Sequence, residues 1–292
     1  MQLSAAHLCI LADLACQAAI EAGALISSYR NDEVSVSQKE GGDSLASQVV
    51  TEVDLRSQAI VMQHIEPSLK AYDLGLLTEE LPDDGSRHRK DFFWCIDPLD
   101  GTLPFTQGIP GYSVSIAMVD RQGMPVIGVV YDPVTEKLYR AVDKQGVVIN
   151  GKPWSNAIVP KMNEQRLGIY CDCTFETEPK REQLVERWDA LALELGYAGV
   201  VVHIGGGGVL NACWVMEHSP ACYYKQPKQE EGGGSFWDFA ATACLFQESG
   251  LHVSDYSGET LNLNQSGSTF MNTSGVCYAT DAEIAHALRR NL

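Results

Sequence analysis

Residues 97–102 read Asp97-Pro98-Leu99-Asp100-Gly101-Thr102, directly after the aromatic and apolar run at 92–96. Two carboxylates three residues apart, at the end of what reads as a buried strand, repel each other and are costly to desolvate unless a cation neutralises them. Hard cations such as Mg²⁺ take carboxylate oxygens, with water and substrate phosphate completing the shell. Two such ions about 3.5–4 Å apart clamp both ends of a phosphoryl displacement and need several carboxylates, one of them bridging. Asp97, at a strand end, is rigid enough to bridge; Leu99 can add its carbonyl, and Asp100 can reach a second ion. Gly101 and Thr102 then open a helical turn whose N–H groups face a phosphate, the glycine letting the anion come close to the backbone.

Further acids stand at comparable places. Glu79-Glu80 follows the short apolar run at 74–77, Asp54 begins a helix in Thr51-Glu52-Val53-Asp54, and Asp238 opens another in Ser235-Phe236-Trp237-Asp238. Each has a plain structural account. An acid in the first turn answers the helix dipole, paired glutamates after a strand make a solvated loop, and Asp-Pro and Asp-Gly are turn dipeptides. Convergence of these acids would make them metal ligands instead. The chain contains no G-x-S-x-G, no P-loop and no H-E-x-x-H, and none of its seven histidines is needed for this chemistry.

The elements that must position these residues follow from periodicity. Apolar residues Leu8, Leu11, Leu14, Ala18, Ala22, Leu25 and Ile26 recur at helical spacing and predict a helix over 5–29. Residues 30–50 are polar and predict a hairpin or loop; a second helix spans 51–69, which Pro67 bends or ends. Residues 82–90 read as a charged loop. Strands are predicted at 92–96, 112–119, 126–131, 137–142 and 147–149, with a tight turn at Asn150-Gly151. After that the pattern alternates: strands at 166–171, 200–204 and 221–224, helices at 180–195, 209–217 and 237–248, late strands at 251–253 and 276–279, and a last helix at 282–290. Helices followed by strands give an α+β N-terminal domain, 1–155, holding most of the acids; an alternating α/β C-terminal domain, 156–292, holds Asp238 and the substrate-side loops.

Bulk properties narrow the partners. The 292 residues are 45% hydrophobic, enough for a real core, and carry a formal charge of −17. That charge disfavours nucleic-acid polymers and anionic membranes, and would repel a phosphate unless bound cations reverse the sign locally. Nine cysteines without regular spacing, most of them in apolar stretches, predict reduced core thiols in a cytoplasmic protein. No run of about 18 apolar residues is apparent, so no membrane span is predicted.

The stretch WCIDPLDGT resembles the signature of the inositol monophosphatase superfamily, an apolar strand running into D-P-[IL]-D-G-T. Trp237-Asp238-Phe239-Ala240-Ala241, with Glu248-Ser249-Gly250 later, resembles the family's W-D-x-A-A…E-[AS]-G, while Thr51–Asp54 and Thr78-Glu79-Glu80 fall at its T-x-x-D and E-E positions. The resemblance implies a layered αβαβα sandwich of the inositol monophosphatase and fructose-1,6-bisphosphatase type, paired as a homodimer. It also implies Mg²⁺-dependent, often lithium-sensitive hydrolysis of a small phosphate monoester, with two or three ions per site. Carried over, Glu79, Asp97 and the Leu99 carbonyl would hold one ion, and Asp97, Asp100 and Asp238 a second. Thr102 paired with Asp54 would orient and help deprotonate the attacking water, and the Gly101 and Thr102 backbone would bind the phosphate.

On the substrate side, 204–213 resembles a family segment that contacts the leaving group and often carries Ser or Thr where Gly207 and Gly208 stand. Inositol-type members place an acid shortly before W-D, a role Glu230 or Glu231 could take. The bisphosphate nucleotidases of the superfamily carry basic groups for a second phosphate near 169–173; here only Lys180, Lys225 and Lys228 could supply one, from loops. A polyol or sugar monophosphate is therefore expected, with a 3′(2′),5′-bisphosphate nucleotide as the alternative. A metal-binding protein of this fold without turnover would have no use for Thr102 and Asp54.

Overall fold

The computed structural model describes residues 3–29, 36–38, 49–155 and 164–291. Chain order is α1 (Ala5–Ser28), β1 (Val36–Gln38), β2 (Val49–Thr51), α2 (Glu52–Ala71), β3 (Gly75–Thr78), β4 (Phe92–Asp100), α3 (Thr102–Thr106), β5 (Ser113–Asp120), β6 (Pro125–Asp132), β7 (Lys137–Val142), β8 (Val147–Ile149) and β9 (Lys152–Trp154). There follow β10 (Leu167–Asp172), α4 (Arg181–Glu194), β11 (Val200–Gly206), α5 (Gly208–Glu217), β12 (Ala221–Lys225), α6 (Phe236–Ser249), β13 (His252–Ser254), β14 (Val276–Ala279) and α7 (Ala282–Asn291).

Strands β3 to β9 form a seven-stranded sheet in sequence order, antiparallel except for β3 against β4. A five-stranded sheet runs β11-β10-β12-β14-β13, its first three strands parallel. Helices α1 and α2 cover one face of the large sheet, α5 and α6 fill the space between the sheets, and α4 and α7 cover the far face of the small one. Five layers, αβαβα, are the architecture the motifs implied. Covered on both faces, β5 is buried along nearly its whole length, and its centre, Ile116-Ala117-Met118-Val119, is consecutively apolar where a one-faced strand would alternate. At Gly128 on β6 a Cβ would stand 2.3 Å from the Ala241 carbonyl of α6; the missing side chain lets α6 lie against the sheet, which fixes where its first turn points.

Several predicted bounds shift. Pro67 lies inside α2, which continues to Ala71, so the proline does not end the helix; it forfeits one backbone bond near the C-terminus. The loop at 82–90 contains a 3₁₀ turn at Ser86–His88, and another, Cys173–Thr177, follows β10. Within 30–50 only the antiparallel pair β1–β2 is described, and 156–163, where the domain boundary was expected, lies outside the described residues. Contrary to the sequence expectation, α1 is long and apolar enough by length and composition to cross a membrane. Its many alanines carry that apolarity without forming an obvious run. In the fold Leu11, Ala15, Ala18, Ala22 and Ile26 are fully buried in the core shared with α2 and the large sheet.

A candidate active site of converging carboxylates

β4 extends past the predicted 92–96 through Asp100, and its register against β5 slips: Asp97 pairs with Ser115 but Asp100 with Ser113. Residues three apart in a regular strand point to opposite faces. The extra residue, a bulge at Pro98-Leu99, restores both carboxylates to one side, and proline is tolerated there because a bulge has no ladder bond to lose. The Leu99 N–H donates to Asp97 Oδ1 at 3.0 Å and locks the bulge from within. Gly101 follows with φ 80°, a conformation that favours glycine, and a Cβ there would lie 2.5 Å from the Gly111 carbonyl. Thr102 starts α3, and its hydroxyl donates to the Leu99 carbonyl at 3.2 Å.

Asp238 arrives from the other half of the chain as the third residue of α6. It forms a reciprocal cap with Ser235, whose N–H donates to Asp238 Oδ2. Asp238 is thus an acid in the first turn of its helix, as the dipole account has it, and this coexists with a place in the site. Ligand atoms of Asp97, Asp100 and Asp238 all lie within 4.8 Å of one another. Each of the three carboxylates commits one oxygen to a backbone N–H, that of Asp100 to Val209 at 3.0 Å, which fixes the cluster's geometry.

Around the cluster lies a cavity of about 680 Å³ whose walls include Glu79, Leu99, Gly101, Thr102, Gly207, Gly208 and Glu231. Glu79 stands outside the 4.8 Å group, yet its charge is felt at Asp97. Asp54 is buried at 3% exposure in the first turn of α2 and is not among the lining residues, though its charge also reaches Asp97. Gly207 caps α5, and a Cβ there would meet Asp100 Oδ2 at 2.3 Å; Gly208 has ordinary clearance, with the nearest atom at 3.4 Å. The Ser or Thr seen in similar segments would collide with Asp100 at Gly207.

Burial, then the charges of Glu79, Asp238, Asp100 and Asp54, push the Asp97 carboxyl well above the usual carboxylate range. Burial and Asp238 do the same to Asp100 against the opposing Val209 N–H. Asp238 opens onto the cavity, but the dense protein around it still raises its pKa, opposed by the Ser235 N–H and by Lys225. Clustered, desolvated carboxylates with fixed oxygens suit a hard divalent cation, and the donor set here is all oxygen.

The sign of these shifts gives a testable consequence. A carboxyl whose pKa is raised by folding holds its proton in the native state where the unfolded chain has lost it. Stability is then full below the unfolded value, about 3.9, and is lost as pH rises through the folded value. In metal-free protein Asp97→Asn should therefore melt above the wild type at pH 8, the gap narrowing as pH falls and closing only toward about 4, the unfolded value. Calorimetry in chelator checks this; a variant that melts lower at pH 8 contradicts the crowding of charge.

Sequence reasoning missed a polar pair in the same cavity. Asp172 ends β10 and Lys225 ends β12, both line the cavity, and Lys225 Nζ lies 2.9 Å from Asp172 Oδ2. The sequence pattern places Lys225 in a loop, whereas it is the last residue of β12. The Ser235-x-x-Asp238 pattern was a legible capping signal that the motif reading passed over.

Residues 10–292 match the model of the inositol monophosphatase family. Among curated proteins, the Nus factor SuhB of Pseudomonas aeruginosa is 31% identical over 253 residues, covering 84% of this chain and 85% of its own. The inositol-1-monophosphatase of Mesorhizobium japonicum is 29% identical, covering 83% and 84%. Among solved structures, the Thermotoga maritima inositol monophosphatase superposes with a TM-score of 0.72 at 22% identity, over 95% of this chain and 96% of that one.

Proposed function

The chain belongs to the inositol monophosphatase family, a phosphatase hydrolase, and from that premise we propose that it hydrolyses a small polyol or sugar monophosphate with Mg²⁺. The observation carrying this reading is the convergence of Asp97 and Asp100 with Asp238, from a distant part of the chain, in a cavity lined also by Glu79 and Thr102. Glu79, Asp97 and the Leu99 carbonyl would hold one ion, and Asp97, Asp100 and Asp238 another. A divalent cation there supplies Lewis-acid charge for the phosphoryl oxygens and lowers the pKa of water toward neutrality. Thr102 and Asp54 would orient the attacking water and take its proton. The Gly101 and Thr102 N–H groups would bind the phosphate, and Gly207, Gly208 and Glu231 would border the leaving group. Homodimerisation, lithium sensitivity and a cytoplasmic location belong to the same proposal; nine free thiols accord with the last.

A 3′(2′),5′-bisphosphate nucleotide is the second reading, favoured by Lys225 and Lys228 in the cavity wall. Phosphate release with Mg²⁺ from inositol phosphates, sugar phosphates and adenosine 3′,5′-bisphosphate, ranked by kcat/KM with Thr102→Ala as control, tests both. No release from any of them would overturn the assignment.

Metal binding should also appear in stability. A ligand that binds only the folded form stabilises it by RT ln(1 + [L]/Kd), about 2.7 kcal/mol at a hundredfold excess. Millimolar Mg²⁺ should raise Tm, and Asp238→Ala should weaken the rise. A wild-type Tm indifferent to Mg²⁺ would contradict a site preformed in the free enzyme.

A further inference from the structure

We propose that the Asp172–Lys225 ion pair is a specificity-determining subsite that reads adjacent hydroxyl groups on the leaving group, the carboxylate accepting from one and the ammonium donating to the other. The inference rests on the phosphomonoesterase reading above. β10, β11 and β12 run parallel, and their carboxyl ends, Asp172, Gly206 and Lys225, all line the cavity. The carboxyl ends of parallel strands are where open α/β sheets bind ligands.

The pair is built rigidly. Asp172 Oδ1 accepts from Asn211 Nδ2 at 3.1 Å and from the Tyr223 hydroxyl at 3.2 Å, and both partners are buried. Asp172 Oδ2 takes Lys225 at 2.9 Å, tying down a side chain that would otherwise be flexible. Asn211 is itself fixed by a second bond to the Gly206 carbonyl. Burial alone would lower the Lys225 pKa, but Asp172, then Asp238 and Asp100, hold it above its ordinary value, so the ammonium stays charged. An ammonium has three N–H donors, of which the Asp172 bond uses one, and a carboxylate oxygen keeps a further lone pair.

Charge balance selects the ligand. Two divalent ions would offset Glu79, Asp97, Asp100 and Asp238, the Asp172–Lys225 pair is neutral in itself, and Lys228 and Glu231 in the same wall balance each other in charge. That leaves little surplus positive charge for a second phosphate, whereas a donor and an acceptor side by side suit neutral hydroxyls. The competing role for Lys225 is only to damp repulsion between Asp100 and Asp238, and this would affect every substrate alike.

The test compares myo-inositol 1-phosphate and glycerol 1-phosphate, which carry adjacent hydroxyls, with cyclohexyl phosphate, which has a ring and no hydroxyls, on the full chain with Mg²⁺. The wild type should prefer the hydroxylated esters by about 10²-fold or more in kcat/KM, because a site built for hydroxyls rejects analogues lacking them. Lys225→Met and Asp172→Asn, verified as folded by their melting curves, should lose at least about tenfold on the hydroxylated esters and under about threefold on cyclohexyl phosphate. Equal losses on all substrates, no wild-type preference, or a Lys225-dependent preference for adenosine 3′,5′-bisphosphate would each overturn the proposal. If no ester turns over, calorimetric binding with Ca²⁺ separates the two claims. Discrimination between inositol 1-phosphate and cyclohexyl phosphate that Lys225→Met abolishes upholds the subsite while the phosphatase reading falls; equal binding sinks the subsite.

Discussion

Asp97→Asn should remove nearly all Mg²⁺-dependent phosphatase activity from a protein that remains folded. Asp97 sits at 1% exposure just before the bulge of β4, its carboxylate within 4.8 Å of those of Asp100 and Asp238, and the charge of Glu79 acts on it as well. It is the one acid placed to serve both proposed ion positions. Asparagine keeps the size and the oxygen that accepts the Leu99 N–H, and removes the charge. Loss on the order of 10³-fold in kcat is expected, about 4 kcal/mol of transition-state stabilisation. A variant that keeps more than about a tenth of the wild-type rate, a cost under roughly 1.4 kcal/mol, shows that the bridging role is wrong. Folding is not at stake, because the same substitution relieves repulsion in the metal-free protein.

The second large effect is expected at Thr102. Its hydroxyl donates to the Leu99 carbonyl at 3.2 Å, which holds the proposed oxygen ligand and the proposed water-orienting group in one local unit. Thr102→Ser keeps the hydroxyl and should retain much of the activity. Thr102→Val keeps the shape and should fall by about 10²–10⁴-fold, the usual worth of general-base assistance, with Mg²⁺ stabilisation intact since no carboxylate is touched. Adding Asp54→Asn should cost little more, because residues acting as a unit are strongly non-additive. Losses that multiply would separate the two residues and return Asp54 to the role of an acid in the first turn of α2.

Which parts of this were legible in the sequence depends on the range of the interaction. Asp97, Asp100 and Asp238 stood out because each combines a charged side chain with a local position, a strand end or a helix start, that needs a partner. Their convergence was implied by motif resemblance and not by spacing, since two acids three apart in a regular strand diverge; the bulge that reunites them depends on pairing with β5, which no local pattern encodes. Gly207 read as a gap in a substrate-contacting segment. The clash of its Cβ with Asp100 is a contact across 107 positions, invisible until the fold closes. Asp172 and Lys225 were hidden for the same reason: each is an ordinary strand-end polar residue until β10 and β12 are placed side by side. The αβαβα layering was implied by the motif resemblance, periodicity giving only the order of helices and strands, whereas Pro67 was overweighted because a local rule met a helix whose packing against α1 and the sheet carries it four residues further.

The central claim is that Asp97, Asp100 and Asp238 hold catalytic divalent metal. Its most direct test is anomalous diffraction from crystals soaked in Mn²⁺, an ion that takes the same oxygen ligands. The predicted result is a peak at about 2.0–2.4 Å from carboxylate oxygens of Asp97, Asp100 and Asp238, lost in Asp97→Asn. Density elsewhere on the protein, or none at this cluster under conditions that support phosphate release, would contradict the account.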